Sequence, residues 1–281
     1  MASPARRPRA PPLTTPAARR TKGTPMSRHL TIPAADTRIQ AVDTPGDGPA
    51  LLFLNGAFAT QRSWKPVLDR LAGKHRTVTF DARGRGKSGP SSDYSIRGAV
   101  DDIGRVITAT GAERPILVGW SHGATIAVRY AAEHPERVSG LVLIDGAFPI
   151  SMFDDAGKDG VRRQFRRLGW IMRILAALGL SAKMTPAQSA ELVIELDAVN
   201  GRLGPDFEAL TIPAVYVVGT GAHSGASDQE MRTMRAAAAQ ACAGNKRVSV
   251  FATSPSNHVR ILSKDPGTVA AAITDVIRRS Q

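Results

Sequence analysis

Short apolar runs alternate along the chain with longer segments in which apolar residues recur at helical spacing. Several of the short runs are apolar almost throughout, which is typical of strands that are covered on both faces. These runs predict strands at residues 39–42, 50–54, 76–80, 115–119, 140–144, 214–218 and 247–251. The alternation of strands with helices predicts an α/β fold with a doubly wound, mostly parallel sheet and helices on both of its faces.

The longer segments predict helices, and two of them have clear starts. Ser95 is placed to cap the helix at residues 95–110, and Asp265 with Pro266 begins the helix at residues 265–279. The other predicted helices comprise residues 63–72, 121–133 and 228–243. Each predicted helix follows a strand, as an alternating fold requires.

Residues 151–210 interrupt this alternation, because no strand pattern occurs among them. Residues 159–180 and 186–200 have helical patterns instead. A helical insertion between two strands predicts a lid over the carboxyl edge of the sheet, where doubly wound sheets bind ligands. The insertion divides the rest into residues 29–150 and 211–281, which we expect to form one core domain, since α/β chains of this length commonly do.

The first predicted helix of the insertion has two different sides. Five arginines lie on it, and they either form a solvated face or attract an acidic substrate. They are Arg162, Arg163, Arg166, Arg167 and Arg173. The apolar side comprises Trp170, Ile171, Ile174, Leu175 and Leu178. We expect this apolar side to rest on the core domain and to line a hydrophobic pocket.

Positive charge is concentrated near the N-terminus of the 281-residue chain. The net charge is +13, and residues 1–28 hold seven of the cations and no acidic residue. Pro, Arg, Ala and Thr dominate this segment, so we predict a disordered basic tail there. The rest of the chain is only mildly basic, and we therefore expect no nucleic-acid partner.

The apolar runs and the single cysteine give evidence on export, membrane insertion and cellular compartment. No apolar stretch follows either arginine pair of the tail, which argues against an export signal, and Met26 is an alternative start. No run reaches the roughly 18 apolar residues of a membrane span. The one cysteine, Cys242, excludes a disulfide framework and a cysteine-based zinc site within one chain. We expect a cytoplasmic protein with no membrane partner.

One motif carries candidate chemistry: Gly119-Trp120-Ser121-His122-Gly123 has the pattern G-x-S-x-G. It follows the apolar run of a predicted strand and directly precedes a predicted helix. A sharp strand-to-helix turn presents a serine hydroxyl clear of the sheet, and the glycines let the backbone fold closely around it. The helix N-terminus and the His122 N–H then face any oxyanion that forms. The alternative is a glycine-rich turn with a capping serine.

With this motif the chain resembles the α/β-hydrolase family, and the resemblance extends over residues 37–281. Asn55-Gly56-Ala57-Phe58 matches the family's oxyanion loop, with Asn55 in place of the usual His. The other matches are the D-x-R-G-x-G-x-S loop at residues 81–88, the strand before the lid at residues 141–145, and Asn257-His258-Val259.

The resemblance implies an α/β-hydrolase fold whose helical lid follows the sixth strand. It also implies an oxyanion hole formed by backbone N–H groups. One of these belongs to Ala57 or Phe58, and the other belongs to His122. Because the donors are backbone groups, Asn55 in place of His does not remove the hole.

A nucleophilic serine needs a base, and six histidines are available. His258 follows the last predicted strand in a polar loop, which is where the family holds its base. A histidine can accept and return a proton near neutral pH. His223, in a glycine-rich loop, is an alternative base.

The acid is the point at which the sequence departs from the family. The family's usual G-x-x-D after the lid corresponds to residues 219–222, which end in Ala222. Some members take the carboxylate from the end of the preceding strand instead, and Asp145 occupies that position. Asp228 is the second candidate. A carboxylate fixes the imidazole tautomer and stabilises the imidazolium, whereas an aspartate at a strand end can also serve only to cap a turn.

Residues 84–89 spell G-x-G-x-x-G after a predicted strand, which is also the pattern of a dinucleotide-binding loop. A polar segment follows instead of an apolar helix, so the context does not fit nucleotide binding. We expect Asp81 and Arg83 to structure this loop.

Together these features predict a serine hydrolase that cleaves a small or medium ester, thioester or lactone through an acyl-enzyme intermediate. Ser121, His258 and Asp145 form the predicted triad. No metal or organic cofactor is implied, and the predicted partner is a small, partly hydrophobic substrate. The family's dehalogenase and epoxide-hydrolase branches use an aspartate nucleophile, which Ser121 argues against. Two alternatives remain: a carbon–carbon bond hydrolase with the same triad, and a noncatalytic binding protein on the same scaffold.

Overall fold

A computed structural model describes residues 26–71, 73–177, 182–221 and 227–281. The predicted tail up to residue 25 lies outside these ranges. His223 and Ala222 also lie outside them, as do the side chains of Arg173, Leu175 and Leu178.

Eight strands form one sheet in the part of the chain that the structure describes. They are β1 (Arg28–Ala34), β2 (Thr37–Thr44), β3 (Gly48–Leu54), β4 (His75–Asp81), β5 (Ile116–Trp120), β6 (Gly140–Ile144), β7 (Ala214–Gly219) and β8 (Val248–Ser254). Their order in the sheet is β1-β2-β4-β3-β5-β6-β7-β8. The β1–β2 and β2–β4 pairs are antiparallel, and every later pair is parallel. The predicted α/β fold with a mostly parallel sheet is confirmed.

The sequence prediction missed β1 and was therefore wrong in counting seven strands. Only Ile32 and Ala34 of β1 are buried, because an edge strand packs one face on the core and leaves the other in water. Such a strand lacks the continuous apolar run that marked the others. Arg28, the last residue of the predicted tail, belongs to β1.

Helices connect the strands. They are α1 (Lys65–Leu71), α2 (Ile96–Thr110), α3 (His122–Glu133), α4 (Asp155–Ala177), α5 (Pro186–Asn200), α6 (Gly204–Ala209), α7 (Asp228–Gly244), α8 (Ile261–Lys264) and α9 (Pro266–Arg279). The predicted cap of α2 is present, because the Ser95 hydroxyl accepts a hydrogen bond from the Gly98 N–H. Asp265 precedes α9 but makes no side-chain cap there. Its carboxylate accepts from the Ser254 hydroxyl instead.

The sheet buries an apolar layer on each face. Leu52 and Leu54 of β3 contribute to the core under α2 and α3, whereas Leu51 and Phe53 point to the opposite core under α1 and α9. This alternation follows from the twofold side-chain period of a strand. Because both faces are covered, ligands can approach the sheet only at its edges and at the ends of its strands.

The segment between β6 and β7 is helical, with α4, α5 and α6 inserted there. The Arg162 guanidinium on α4 pairs with the Glu191 carboxylate on α5, with Nε and Oε1 2.8 Å apart. The expectation that the apolar side of α4 rests on the core is wrong for Trp170 and Ile174. These side chains are 66% and 53% exposed. None of the described helices is long and apolar enough to cross a bilayer.

Candidate active site

Ser121 occupies the turn between β5 and α3, in a backbone conformation that an L-residue rarely adopts. Its φ and ψ are 57° and −121°, and the Ser121 N–H donates to the Ile144 carbonyl at 2.9 Å. A Cβ atom on Gly123 would lie 2.1 Å from the Leu54 carbonyl oxygen, and one on Gly119 would lie 2.4 Å from the Gly123 carbonyl oxygen. The two glycines of the motif are therefore required by close approach of the backbone.

His258 lies beside this serine, although 137 residues separate the two in the sequence. Its Nε2 is 3.0 Å from the Ser121 Oγ. The loop after β8 carries His258, and the Trp120 indole N–H holds that loop by donating to the His258 carbonyl at 3.2 Å. The ring centroids of Trp120 and His258 are 5.7 Å apart, so the imidazole also packs against the indole.

Asp145 lies on the opposite side of the imidazole. Its Oδ2 is 2.8 Å from the His258 Nδ1, and its Oδ1 accepts a hydrogen bond from the Gly219 N–H at 2.9 Å. The Asp145 carboxylate is buried. Asp228, by contrast, is exposed in the first turn of α7. Among the described residues, the structure thus brings Ser121, His258 and Asp145 together and leaves Asp228 apart.

The three side chains converge because β5, β6 and β8 are parallel in one sheet. Ser121 follows the end of β5, Asp145 follows the end of β6, and His258 lies four residues after β8. The carboxyl ends of parallel strands meet at one edge, which is where such sheets place their ligands. A hydroxyl, an imidazole and a carboxylate in this sequence of hydrogen bonds can transfer a proton from the serine to the ring.

The loop after β3 contains the predicted oxyanion donors. The Ala59 N–H donates to the Gly56 carbonyl at 3.1 Å, which closes a turn around Ala57 and Phe58. Asn55 anchors this loop to β4 and to Trp64. Its amide donates to the Phe80 carbonyl at 2.7 Å, and its Oδ1 accepts from the Trp64 indole at 2.7 Å. Asn55 therefore has a structural role, and both of its polar atoms are occupied.

Arg85 supports the same loop from the D-x-R-G-x-G-x-S segment. Its Nε donates to the Ala57 carbonyl at 2.8 Å, and its Nη1 donates to the Arg83 carbonyl at 2.6 Å. Burial lowers the pKa of Arg85 to about 10, so the guanidinium stays charged at neutral pH. Because the Ala57 carbonyl and the Phe58 N–H belong to one peptide unit, this hydrogen bond fixes the direction of that N–H.

The ring of His122 is buried. Burial first, and then the nearby Arg85 charge, lower the pKa of His122 to about 3. The ring is therefore neutral at neutral pH and cannot take up a proton there. His122 remains a candidate only through its backbone N–H, which lies at the N-terminus of α3.

A cavity of about 470 Å³ opens at the serine. Ser121, Asp145 and His258 line it together with residues of α4, α5 and α7. Its wall is mainly apolar and includes Phe148, Ile150, Phe153, Phe165, Leu196 and Met231. This volume and lining are typical of a site for a small, partly hydrophobic molecule. A larger groove of about 670 Å³ lies across β2 and β4, away from Ser121 and His258.

The remaining loop residues have structural partners. The Arg83 guanidinium forms a bidentate ion pair with the Asp102 carboxylate, and both N···O distances are 2.8 Å. The Asp81 carboxylate accepts from the Gln61 and Lys87 N–H groups at 2.8 Å and 3.0 Å. Asp81 and Arg83 therefore structure the loop, as expected. Within residues 26–71, 73–177, 182–221 and 227–281, no group of three His, Cys, Asp or Glu side chains could hold a metal ion.

Sequence reasoning missed two arginines near the site. Arg85 looked like one variable position of a loop motif, and no local signal marks its contact with Ala57. Arg235 lines the cavity from α7. It does carry a signal, because it lies four residues after Met231 and one after Met234, on the apolar stripe of that helix.

Comparisons with known proteins agree with this fold. A family model for the alpha/beta hydrolase fold matches residues 49–191. Epoxide hydrolase B of Mycobacterium tuberculosis is 36% identical over 127 residues, which are 43% of this chain and 36% of that protein. The 2-(acetamidomethylene)succinate hydrolase of Mesorhizobium japonicum is 36% identical over 101 residues, which are 36% of each protein. The chain thus spans little more than a third of the length of either relative.

Solved structures resemble the chain over most of its length. An esterase from Exiguobacterium antarcticum superposes with a TM-score of 0.69 and 21% identity, covering 89% of this chain and 99% of that one. An E-2-(acetamidomethylene)succinate hydrolase gives a TM-score of 0.66 and 21% identity, covering 90% of this chain and 100% of that one. At this identity the likeness concerns the fold.

Proposed function

The chain belongs to the α/β-hydrolase fold family, and we propose that it is a serine hydrolase acting on a small or medium ester, thioester or lactone. One observation carries the proposal. The Ser121 Oγ, the His258 ring and the Asp145 carboxylate form a continuous set of contacts at 3.0 Å and 2.8 Å. This set opens into a mainly apolar cavity.

In the proposed mechanism the Ser121 Oγ attacks the carbonyl carbon of the substrate while the His258 Nε2 takes the hydroxyl proton. The Asp145 carboxylate holds the proton on Nδ1 and stabilises the imidazolium. Backbone N–H groups of Ala57 or Phe58 and of His122 stabilise the oxyanion. His258 then gives its proton to the leaving alcohol, thiol or ring oxygen, and an acyl-enzyme remains.

Deacylation repeats these steps with water. His258 takes a proton from the water molecule, whose oxygen attacks the acyl carbon. The tetrahedral intermediate collapses, the carboxylic acid forms, and the proton returns through His258 to the Ser121 Oγ. No step needs a metal or an organic cofactor.

We propose that the α4–α6 insertion acts as the lid of this site. Val161 and Phe165 of α4 and Leu196 of α5 line the cavity together with Ser121. A lid that supplies apolar wall excludes water and strengthens the electrostatic interactions beneath it.

We also propose a cytoplasmic location, which the single cysteine of the chain supports.

The proposal is tested with a fluorophosphonate, which a nucleophilic serine attacks at phosphorus with loss of fluoride. Intact-mass spectrometry of the wild type should show one adduct, and peptide mapping should place it on Ser121. Ser121→Ala should abolish both the adduct and the hydrolysis of 4-nitrophenyl esters. Ser263→Ala is the matched control, because this serine is exposed on α8, and it should behave as the wild type. No adduct at any pH between about 6 and 9 would contradict the proposal.

The two alternatives give different results in the same assays. A carbon–carbon bond hydrolase would label at Ser121 but would cleave dienone acids in preference to esters. A noncatalytic binding protein would neither label nor cleave. The sequence supported that last alternative only through Ala222, where the family's usual acid is absent, and Asp145 at 2.8 Å from the ring weakens it.

A further inference from the structure

One arginine side chain lines the mainly apolar cavity. Arg235 lies on α7, and it lines the cavity that also contains Ser121 and His258. Met231 and Met234 of the same helix line the cavity beside it. Within the described ranges, no other lysine or arginine lines this cavity. Arg235 therefore supplies the one lysine or arginine charge among the described residues of this wall.

The donors of Arg235 are only partly used. Its Nη2 donates to the Thr220 carbonyl at 3.1 Å. Its Nε is buried and has no hydrogen-bond partner among the described residues. A buried donor without an acceptor is costly, and the cost disappears when a ligand supplies the acceptor.

The acidic side chains around the same cavity are already occupied. The Asp197 carboxylate accepts from the Ser151 hydroxyl at 2.6 Å and from the Met152 N–H at 2.7 Å. The Glu230 carboxylate accepts from the Ser227 N–H at 2.6 Å, within the cap of α7. Both acids already accept hydrogen bonds from the protein itself, whereas the Arg235 Nε has no acceptor among the described residues.

The arginines of the insertion do not compete for this role. Arg162 is paired with Glu191. Arg163, Arg166 and Arg167 are exposed, and none of these four lines the cavity. The described arginines of α4 thus lie outside the cavity wall, and Arg235 is the one arginine among its described lining residues.

From this arrangement we infer that Arg235 binds a carboxylate of the substrate. The substrate class is then an ester, thioester or lactone that carries, besides the reacting carbonyl, an apolar part and one carboxylate. A guanidinium donates to a carboxylate through two parallel N–H groups, which gives orientation as well as affinity. The one arginine among the described lining residues offers a site for one carboxylate of the substrate. This inference rests on the proposed hydrolase function and deepens it.

Matched substrates test the inference. The 4-nitrophenyl monoester of adipic acid is compared with the 4-nitrophenyl ester of adipamic acid, which has a neutral amide in place of the carboxylate. The acetyl esters of 3-hydroxybenzoate and 3-hydroxybenzamide place the same difference on the alcohol. In at least one pair, wild-type kcat/KM should be about tenfold higher for the carboxylate, mainly through KM, because the contact is equal in ground and transition states.

Substitutions assign this preference to Arg235. Arg235→Gln should bring the ratio of the two kcat/KM values to about one. Arg235→Lys should keep part of the preference for the carboxylate substrate, because lysine retains the positive charge but cannot form the bidentate contact. Arg232→Gln is the control, because this arginine is exposed on the same helix and bonds to Gln229. It should keep the wild-type ratio. Equal ratios in the wild type and Arg235→Gln would overturn the inference.

A binding measurement separates this inference from the proposed reaction. In the Ser121→Ala background, calorimetry compares monomethyl adipate with methyl adipamate. The carboxylate should bind about tenfold more tightly, and Arg235→Gln should remove the difference. If fluorophosphonate labelling fails while this difference persists, the hydrolase proposal fails and the carboxylate site stands. If labelling succeeds and the difference is absent, only the carboxylate site fails.

Discussion

Three of the five non-glycine residues with positive φ in the described ranges lie at the candidate site. Ser121, Asp145 and Ala147 have φ values of 57°, 45° and 56°, and such conformations cost roughly 1–3 kcal/mol each. Hydrogen bonds from the Ser121 N–H to the Ile144 carbonyl and from the Asp145 N–H to the Val217 carbonyl hold two of them in place, each at 2.9 Å. The sheet therefore fixes the backbone at both candidate residues.

Asp145→Asn should lower kcat by about 10³–10⁴-fold while the protein stays folded. An amide cannot stabilise the imidazolium, and its NH₂ group favours the wrong tautomer of His258. Steady-state kinetics with an ester that the wild type cleaves will measure the loss, and circular dichroism will check the fold. Asp228→Asn is the control, since Asp228 is exposed, and near-wild-type turnover is expected. Loss in the control with normal turnover in Asp145→Asn would exchange the two roles.

His122 should make stability fall in mild acid. Its folded-state pKa of about 3 lies below the usual value of 6.5, so the unfolded chain binds a proton first as the pH drops. The contribution to stability is complete above 6.5 and is lost below it, by about 2 kcal/mol between pH 7 and pH 5. Urea unfolding at both pH values measures this difference.

His122→Asn should reduce that pH-dependent difference by about 2 kcal/mol, whatever its effect at pH 7 alone. His29→Asn on exposed β1 is the control and should leave the difference as in the wild type. An unchanged difference in His122→Asn would show that the ring is protonated at pH 5 in the folded protein.

At the scale of elements, a single buried carboxylate joins the antiparallel edge of the sheet. Asp43 on β2 is 2% exposed. It accepts two hydrogen bonds from the Arg76 guanidinium on β4, each at 3.0 Å, and one from Arg28 on β1. Arg76 also donates to the Thr110 carbonyl at the end of α2. β1 has no long apolar run of its own, so its attachment depends in part on this cluster.

Asp43→Asn should lower the free energy of unfolding by about 2 kcal/mol, because the hydrogen bonds to the buried carboxylate lose their charge and the half-buried Arg76 guanidinium loses its counter-ion. Guanidinium chloride titration followed by tryptophan fluorescence provides the measurement. Asp69→Asn removes an exposed pair with Lys65 on α1 and should change the free energy by less than about 1 kcal/mol. Equal losses of unfolding free energy in the two variants would show that the Asp43 cluster stabilises the fold no more than the exposed Lys65–Asp69 pair does.

At the scale of the whole molecule, residues at the carboxyl edge of the sheet and residues of the insertion line the cavity, whereas the charge excess of the sequence is concentrated in residues 1–28. Residues 1–28 carry seven of the chain's 37 lysines and arginines. The described fold begins with β1, whose partner is β2 alone.

Starting the protein at Met26 should therefore leave the folded part unchanged. We expect an unfolding temperature within about 2 °C of the full chain and the same kcat/KM. Differential scanning calorimetry and ester hydrolysis measure the two quantities. A drop of many degrees would mean that residues 1–25 contribute to the fold, and a loss of activity alone would place them at the site.

Local features of the sequence accounted for most of the architecture. The strands after β1 followed from apolar runs, and the turn at Ser121 followed from two glycines that a close backbone approach requires. The strand predictions succeeded because periodicity is decided within a few residues. His258 was expected from the resemblance to the family, and its catalytic role stays a prediction.

Only the tertiary structure decided which groups meet across the sheet. The choice between Asp145 and Asp228 as the ring's carboxylate depends on where strand ends lie in the sheet, and no spacing along the chain encodes that distance. The same holds for Arg235 at the cavity wall, for Arg85 under the oxyanion loop and for the exposed face at Trp170. A local pattern says which side of an element is apolar or charged, whereas packing of distant segments decides what that side contacts.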